Sequence, residues 1–275
     1  MNLKVTFKTL ARLSGIIIII TAFISCSDSG EDPSIEPSTT PDPTTTTTAA
    51  DRTETFTFSS NGLSIKGKVF LPSEYETNQN LPAIYLIDFK EQHFQVATDE
   101  FDKVIEGVKA VRGLNALVIT LAEHMDIDLV LPQDYQEYSG LFKDMVSYVD
   151  ANYTSNTSRT FIGRGSESGL VLTSLFLEEG ETSVFQNFIA TDSPSVRYLQ
   201  QQIEDGAFPT DKENKRLHYS FSTSSEYDFN IDFINTINEQ EYPWLEFESV
   251  EYSSLNYENT YPTAFKDGIA FIFGD

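Results

Sequence analysis

From residue 54 onward the apolar positions alternate between two spacings. Glu54–Phe58 and Leu63–Leu71 alternate or run apolar around Ser60-Asn61-Gly62, which predicts a β-hairpin with a short Asn-Gly turn. Leu81–Asp88 and Ala116–Leu121 are short apolar runs of the kind that forms strands buried on both faces. Arg159–Gly163, Phe185–Ala190, Leu217–Phe221 and Leu245–Tyr252 predict four more strands. Between them, helical spacing predicts helices over Thr98–Val111, Asp134–Asn152, Ser166–Glu178 and Tyr227–Asn238. Pro262–Phe273 predicts the last helix, with Pro262 in its first turn. Strands alternating with helices imply right-handed crossovers and an α/β domain with a mainly parallel central sheet. In such a sheet the functional crevice lies outside the carboxyl ends of the strands. The loops after Asp88, Leu121, Gly163, Ala190 and Phe221 are therefore the ones that matter for function.

The residues before this domain follow neither spacing. Lys4, Lys8 and Arg12 precede an apolar stretch, Ser14–Ser25, shorter than the ~20 residues a membrane-spanning helix needs. It ends at Phe23-Ile24-Ser25-Cys26, with a small residue before the chain's one cysteine. This resembles a lipobox, which implies a signal peptide over residues 1–25, cleavage before Cys26 and diacylation of that cysteine. An uncleaved N-terminal anchor is the competing reading. Residues 27–50 are rich in Ser, Thr, Pro and acids and too poor in apolar residues to order themselves. Residues 26–52 are thus expected to be a lipidated cysteine and a flexible tether. Asp28, Glu31 and Asp32 resemble the surface-export signals of Bacteroidota lipoproteins. The expected location is the cell envelope, on an outer-membrane lipoprotein, with the bilayer as a partner through acylated Cys26.

Charge narrows the list of partners. The chain carries 18 Lys and Arg against 42 Asp and Glu, a net charge of −24. Without residues 1–25 the balance is 15 against 42, or −27. Such a surface repels phosphate backbones, so nucleic acid is not an expected partner. One cysteine excludes an intramolecular disulfide. No glycine-rich phosphate loop or dinucleotide fingerprint is present, and no cofactor is expected. Glu91 and His93, with Glu123, His124, Asp126 and Asp128, offer hard ligands, but at no recognised metal spacing. No metal site is expected.

Four segments, taken in order and spacing, resemble the esterase D and siderophore-esterase branch of the α/β-hydrolases, across residues 53–275. Leu81–Asp88 is similar to a strand ending in Leu-Leu-Asp. Arg159–Leu170 (RTFIGRGSESGL) is similar to the nucleophile segment Arg-Thr-x-x-Gly-His-Ser-x-Gly-Gly-Leu. Phe188–Ser195 is similar to a strand ending in Ser-Pro-Ser, and Pro262–Phe273 to the C-terminal helix. The resemblance implies an α/β-hydrolase fold: a mainly parallel sheet with an N-terminal antiparallel hairpin and helices on both faces. It also implies ester hydrolysis by a serine on a tight strand-to-helix turn, a histidine that takes its proton, and an acid that orients the histidine.

Carried over residue by residue, that machinery is incomplete. If Ser166 is the nucleophile, Arg164 and Ser168 stand where glycine is usual, and Arg164 should crowd the turn. If the strand sets the register, the nucleophile position falls on Gly165, which has no hydroxyl, and Ser166 is a helix cap. Tyr257 occupies the position of the histidine, and a phenol with a pKa near ~10 is a poor base at neutral pH. Of the three histidines, His218 is expected at the start of a strand, at the wrong end of the sheet, while His93 and His124 follow strands. His124 is the candidate for a relocated base, or else a solvated loop residue. Glu226 or Asp228 fits the acid, or else the N-terminal turn of a helix. Two functions follow as expectations. One is a catalytically impaired esterase-like domain that binds a small molecule, sugar or peptide. The other is an active carboxylic ester hydrolase using Ser166. Tyr227, Tyr242, Trp244, Tyr252, Tyr257 and Tyr261 would suit a binding platform wherever they are exposed.

Overall fold

The computed structural model describes residues 50–86, 99–121, 135–180, 183–209, 212–223 and 227–274. Its centre is an eight-stranded sheet in the order β1-β2-β4-β3-β5-β6-β7-β8. β1 (Arg52–Ser60) and β2 (Leu63–Leu71) form the hairpin, turning at Asn61 and Gly62, both at positive φ as a two-residue turn requires. β2 pairs antiparallel with β4 (Leu117–Leu121). The remaining pairings, through β3 (Ala83–Leu86), β5 (Arg159–Arg164), β6 (Asn187–Thr191), β7 (Lys215–Ser222) and β8 (Leu245–Tyr252), are all parallel. The expected mainly parallel sheet with an antiparallel hairpin is therefore observed. Residues 87 and 88 of the third expected strand lie outside the described residues.

Every residue of β3, β4 and β6 is buried, because helices cover both faces of the sheet. α1 (Glu100–Ala110) and α6 (Tyr257–Phe273) cover one face, where Phe101, Val104, Phe265 and Ile269 pack on Ile84, Val118, Ile162 and Ile189. α2 (Tyr135–Asn152), α3 (Gly165–Leu177), α4 (Val196–Glu204) and α5 (Tyr227–Gln240) cover the other, around Phe142, Phe161, Phe176 and Phe188. α4 has no counterpart among the expected elements: only Val196, Leu199 and Ile203 of it are buried, too short a stripe to stand out between two strands. α6 begins at Tyr257, capped by the Asn256 side chain, so Pro262 lies in its second turn rather than its first. Among the described residues, no helix is long and apolar enough to cross a membrane.

Two polar residues packed against the sheet sit on opposite faces, Lys212 half-buried and His218 fully buried. Lys212 donates to the carbonyls of Leu175 (3.0 Å), Phe176 (2.5 Å) and Glu178 (3.1 Å), three of the acceptors left over where α3 ends. Burial pulls its ammonium down to about 8. His218 lies in the middle of β7, fully buried beneath α6, not at the start of a strand as the sequence suggests. Its imidazole makes no hydrogen bond with described residues, and burial pulls its pKa down to about 4. The 3.6 Å approach of Nε2 to Glu248 is therefore no ion pair at neutral pH.

Gly268 lets α6 reach this layer, because a Cβ there would stand 2.6 Å from Cγ2 of Ile189. Gly268→Ala should gain up to ~1 kcal/mol of helix propensity and lose about 1–3 kcal/mol to overpacking. Urea denaturation should show a net destabilisation. His218 folds neutral and unfolds to a group titrating near 6.5. Its contribution is complete above that pH and is lost as pH falls toward 4, by up to about 3 kcal/mol. Comparing urea midpoints at neutral and acid pH, His218→Met should lose less stability than the parent by about that amount.

Candidate functional site

From β3 the chain passes through α1 to β4 on one side, then returns through α2 to β5 on the other side of β3. The strand order reverses there, and the carboxyl ends of β3 and β5 are where a sheet of this kind places its crevice. β5 ends at Arg164, which occupies the N-cap position of α3 with extended backbone (φ −127°, ψ 164°). The chain reverses at Gly165, whose φ of +55° costs a glycine little and other residues more. Gly163, two residues earlier, allows the close approach. A Cβ there would lie 3.0 Å from the Glu167 carbonyl carbon and 3.1 Å from the Ser168 nitrogen. Ser168 tightens the turn by donating to the Gly165 carbonyl at 2.5 Å.

This places the nucleophile candidates. Ser166 is the second residue of α3, half-buried, and is neither the pivot of the turn nor the helix cap. The pivot is Gly165. Arg164 does not crowd the turn, because its extended backbone sends the side chain away into the crevice. There its Nε donates to Oε1 of Glu100 at 2.7 Å, with both side chains almost wholly buried (9 % and 5 % exposed). Its guanidinium carbon also stands 4.8 Å from the ring centre of Tyr257 and 4.4 Å from that of Tyr261, both within cation–π range. Tyr261 in turn donates to Asp99, and burial and that carboxylate hold its phenol protonated well above the usual range. One cation thus joins the end of β5 to the first residues of α1 and the first turns of α6.

Asp192, which the sequence reading did not single out, stands just past β6 with φ +51°, a conformation Asp adopts more readily than most residues. Its Oδ1 accepts from the backbone nitrogen and the hydroxyl of Ser222, both at 2.7 Å, fixing the end of β7. Burial pushes its carboxyl up, against those bonds and the charge of Arg164. The only sequence signal was its place in the Ser-Pro-Ser-like segment. Asp228 is the second residue of α5 and exposed, suited to the positive end of that helix dipole. His124 and Glu226 lie outside the described residues, as do His93, Glu91, Glu123, Asp126, Asp128 and Cys26. Among the described residues no group of three His, Cys, Asp or Glu side chains could hold a metal ion. Of the late aromatics, Trp244 is buried, Tyr242, Tyr252, Tyr257 and Tyr261 are half-buried, and Tyr227 is exposed.

No family model matches the chain, and no curated protein matches it. Solved structures do. An IroE-like serine hydrolase from Shewanella oneidensis superposes with a TM-score of 0.63 at 15% identity, over 81% of this chain and 80% of that one. An uncharacterised protein from Capnocytophaga ochracea gives 0.65 at 13% identity, over 80% of this chain and 63% of that one. The siderophore hydrolase EstA from Aspergillus nidulans gives 0.58 at 14% identity, over 80% and 93%. At these identities the likeness establishes architecture and leaves chemistry open. Strand order, the antiparallel hairpin, the glycine-pivoted turn between β5 and α3 and these neighbours together give the chain an α/β-hydrolase fold.

Proposed function

We propose that this chain is an esterase-like α/β-hydrolase domain that no longer hydrolyses esters and serves instead as a binding module, held at the cell envelope by acylated Cys26 and the tether over residues 26–52. The observation that carries this is the occupancy of the crevice. The pivot that should present a hydroxyl is Gly165, and the adjacent Arg164 is sandwiched against Tyr257, the residue at the histidine's position. A glycine has no oxygen to activate. A phenol of ordinary pKa near ~10 is protonated at neutral pH and makes a poor general base there. Ser166, one residue into α3, remains the hydroxyl nearest in sequence to that pivot. It favours the competing reading, a hydrolase with His124 as base and Glu226 or Asp228 as acid.

The two readings separate on labelling. The parent protein should not react with a fluorophosphonate probe. Its hydrolysis of p-nitrophenyl acetate should stay at the level of bulk protein and be unchanged in Ser166→Ala. Covalent labelling of the parent that disappears in Ser166→Ala would establish the hydrolase. A second measurement concerns the cation. Arg164→Met should destabilise the fold by about 3–5 kcal/mol, because Glu100 is left buried without its guanidinium. The double variant Glu100→Gln/Arg164→Met should recover much of that loss in urea denaturation.

A further inference from the structure

A second cleft lies away from the crevice, where β2 ends and β4 begins. It has a volume of about 420 Å³, within the range of small-ligand sites. α1 stops at Ala110, and the chain returns to β4 through a turn closed by the Leu114 nitrogen on the Val111 carbonyl (3.2 Å). Gly113, at φ +78°, occupies the third position of that turn, which is the signature of type II. Arg112 holds the second position, at the exposed corner. It makes no hydrogen bond or ion pair with any described residue, although acids outnumber bases more than two to one in this chain.

The neighbouring cation is already committed. Lys109 is paired with Asp51 at 2.8 Å and lies over the Phe70 ring. Asp51 is committed as well, since its other carboxylate oxygen accepts from the Ser73 nitrogen at 2.9 Å. The cleft therefore offers an apolar wall of Phe70, Val108 and Leu114, the Asn115 amide, and the Arg112 guanidinium, which has no partner among the described residues; the exposed Glu74 carboxylate also lines it and accepts from the Ser73 hydroxyl at 2.8 Å. We infer that this cleft binds a small organic carboxylate, its apolar body against Phe70 and Leu114 and its carboxylate on Arg112. A planar fork of donors matches a carboxylate better than any neutral group. The site is independent of the crevice, so neither stands or falls with the other.

Phenylacetate is a suitable probe, with benzyltrimethylammonium as the cation bearing the same ring. Titrated calorimetrically into the full chain, phenylacetate should bind with a Kd on the order of 1 mM, as expected for so few atoms. Arg112→Gln should weaken it at least about fivefold, Leu114→Asp should abolish it, and the ammonium probe should not bind. Arg112 is an exposed turn residue, so Arg112→Gln should unfold at the same temperature as the parent. Equal affinity of the parent and Arg112→Gln, tighter binding of the ammonium probe, or no heat from phenylacetate up to about 20 mM would each overturn the assignment.

Discussion

The crevice is organised by one buried ion pair, Arg164 with Glu100. Removing two charges from water is expensive, and here a carboxylate and two aromatic rings lie against the guanidinium. A carboxylate holds its edge and two tyrosine rings hold its faces. Each partner comes from a different element: β5 gives the arginine, α1 the glutamate, α6 the tyrosines. The geometry of three elements is therefore tied to one cation, at the carboxyl ends of the strands. The groups gathered there neutralise a buried charge, whereas a nucleophile and its base must keep unsatisfied reactivity for a substrate.

The sheet beneath tolerates this because its own requirements are met separately. The parallel strands are buried on both faces, so nearly all their specificity lies in side-chain volume. Gly268 and Gly163 mark two close approaches, α6 onto β6 and α3 onto its own entry strand. Polar groups packed against the sheet are handled locally. Lys212 collects the carbonyls that end α3, and His218 remains neutral under α6. None of these depends on the crevice, so the elbow region could change its residues without the architecture failing.

Much of the candidate site could be read in the chain before folding was considered, and the reasons differ by residue. Tyr257 in the histidine's place was visible because an aligned segment fixes the position and the side chain is of another chemical kind. The ambiguity between Gly165 and Ser166 could not be resolved along the sequence. Adjacent residues differ in role only through backbone conformation, and the positive φ at residue 165 is a property of the turn. Arg164 was read as an obstruction, because proximity in sequence suggests crowding. The folded backbone instead turns its side chain into the crevice. Asp192 was not singled out, since its partner Ser222 is 30 residues away and a single acid gives no periodic signal.

The sequence by itself determined the fold class, the order of strands and of every helix but α4, the hairpin turn at Asn61-Gly62 and the mismatch with a serine–histidine pair. These follow from local spacing, turn chemistry and residue identity, which act over a few neighbours. Tertiary structure alone decided which residue pivots the β5–α3 turn, that Glu100, Tyr257 and Tyr261 converge on Arg164, and that Arg112 lines a cleft with no partner among the described residues. Those facts depend on elements from distant parts of the chain meeting in space, and on whether each buried or exposed charge finds its complement there.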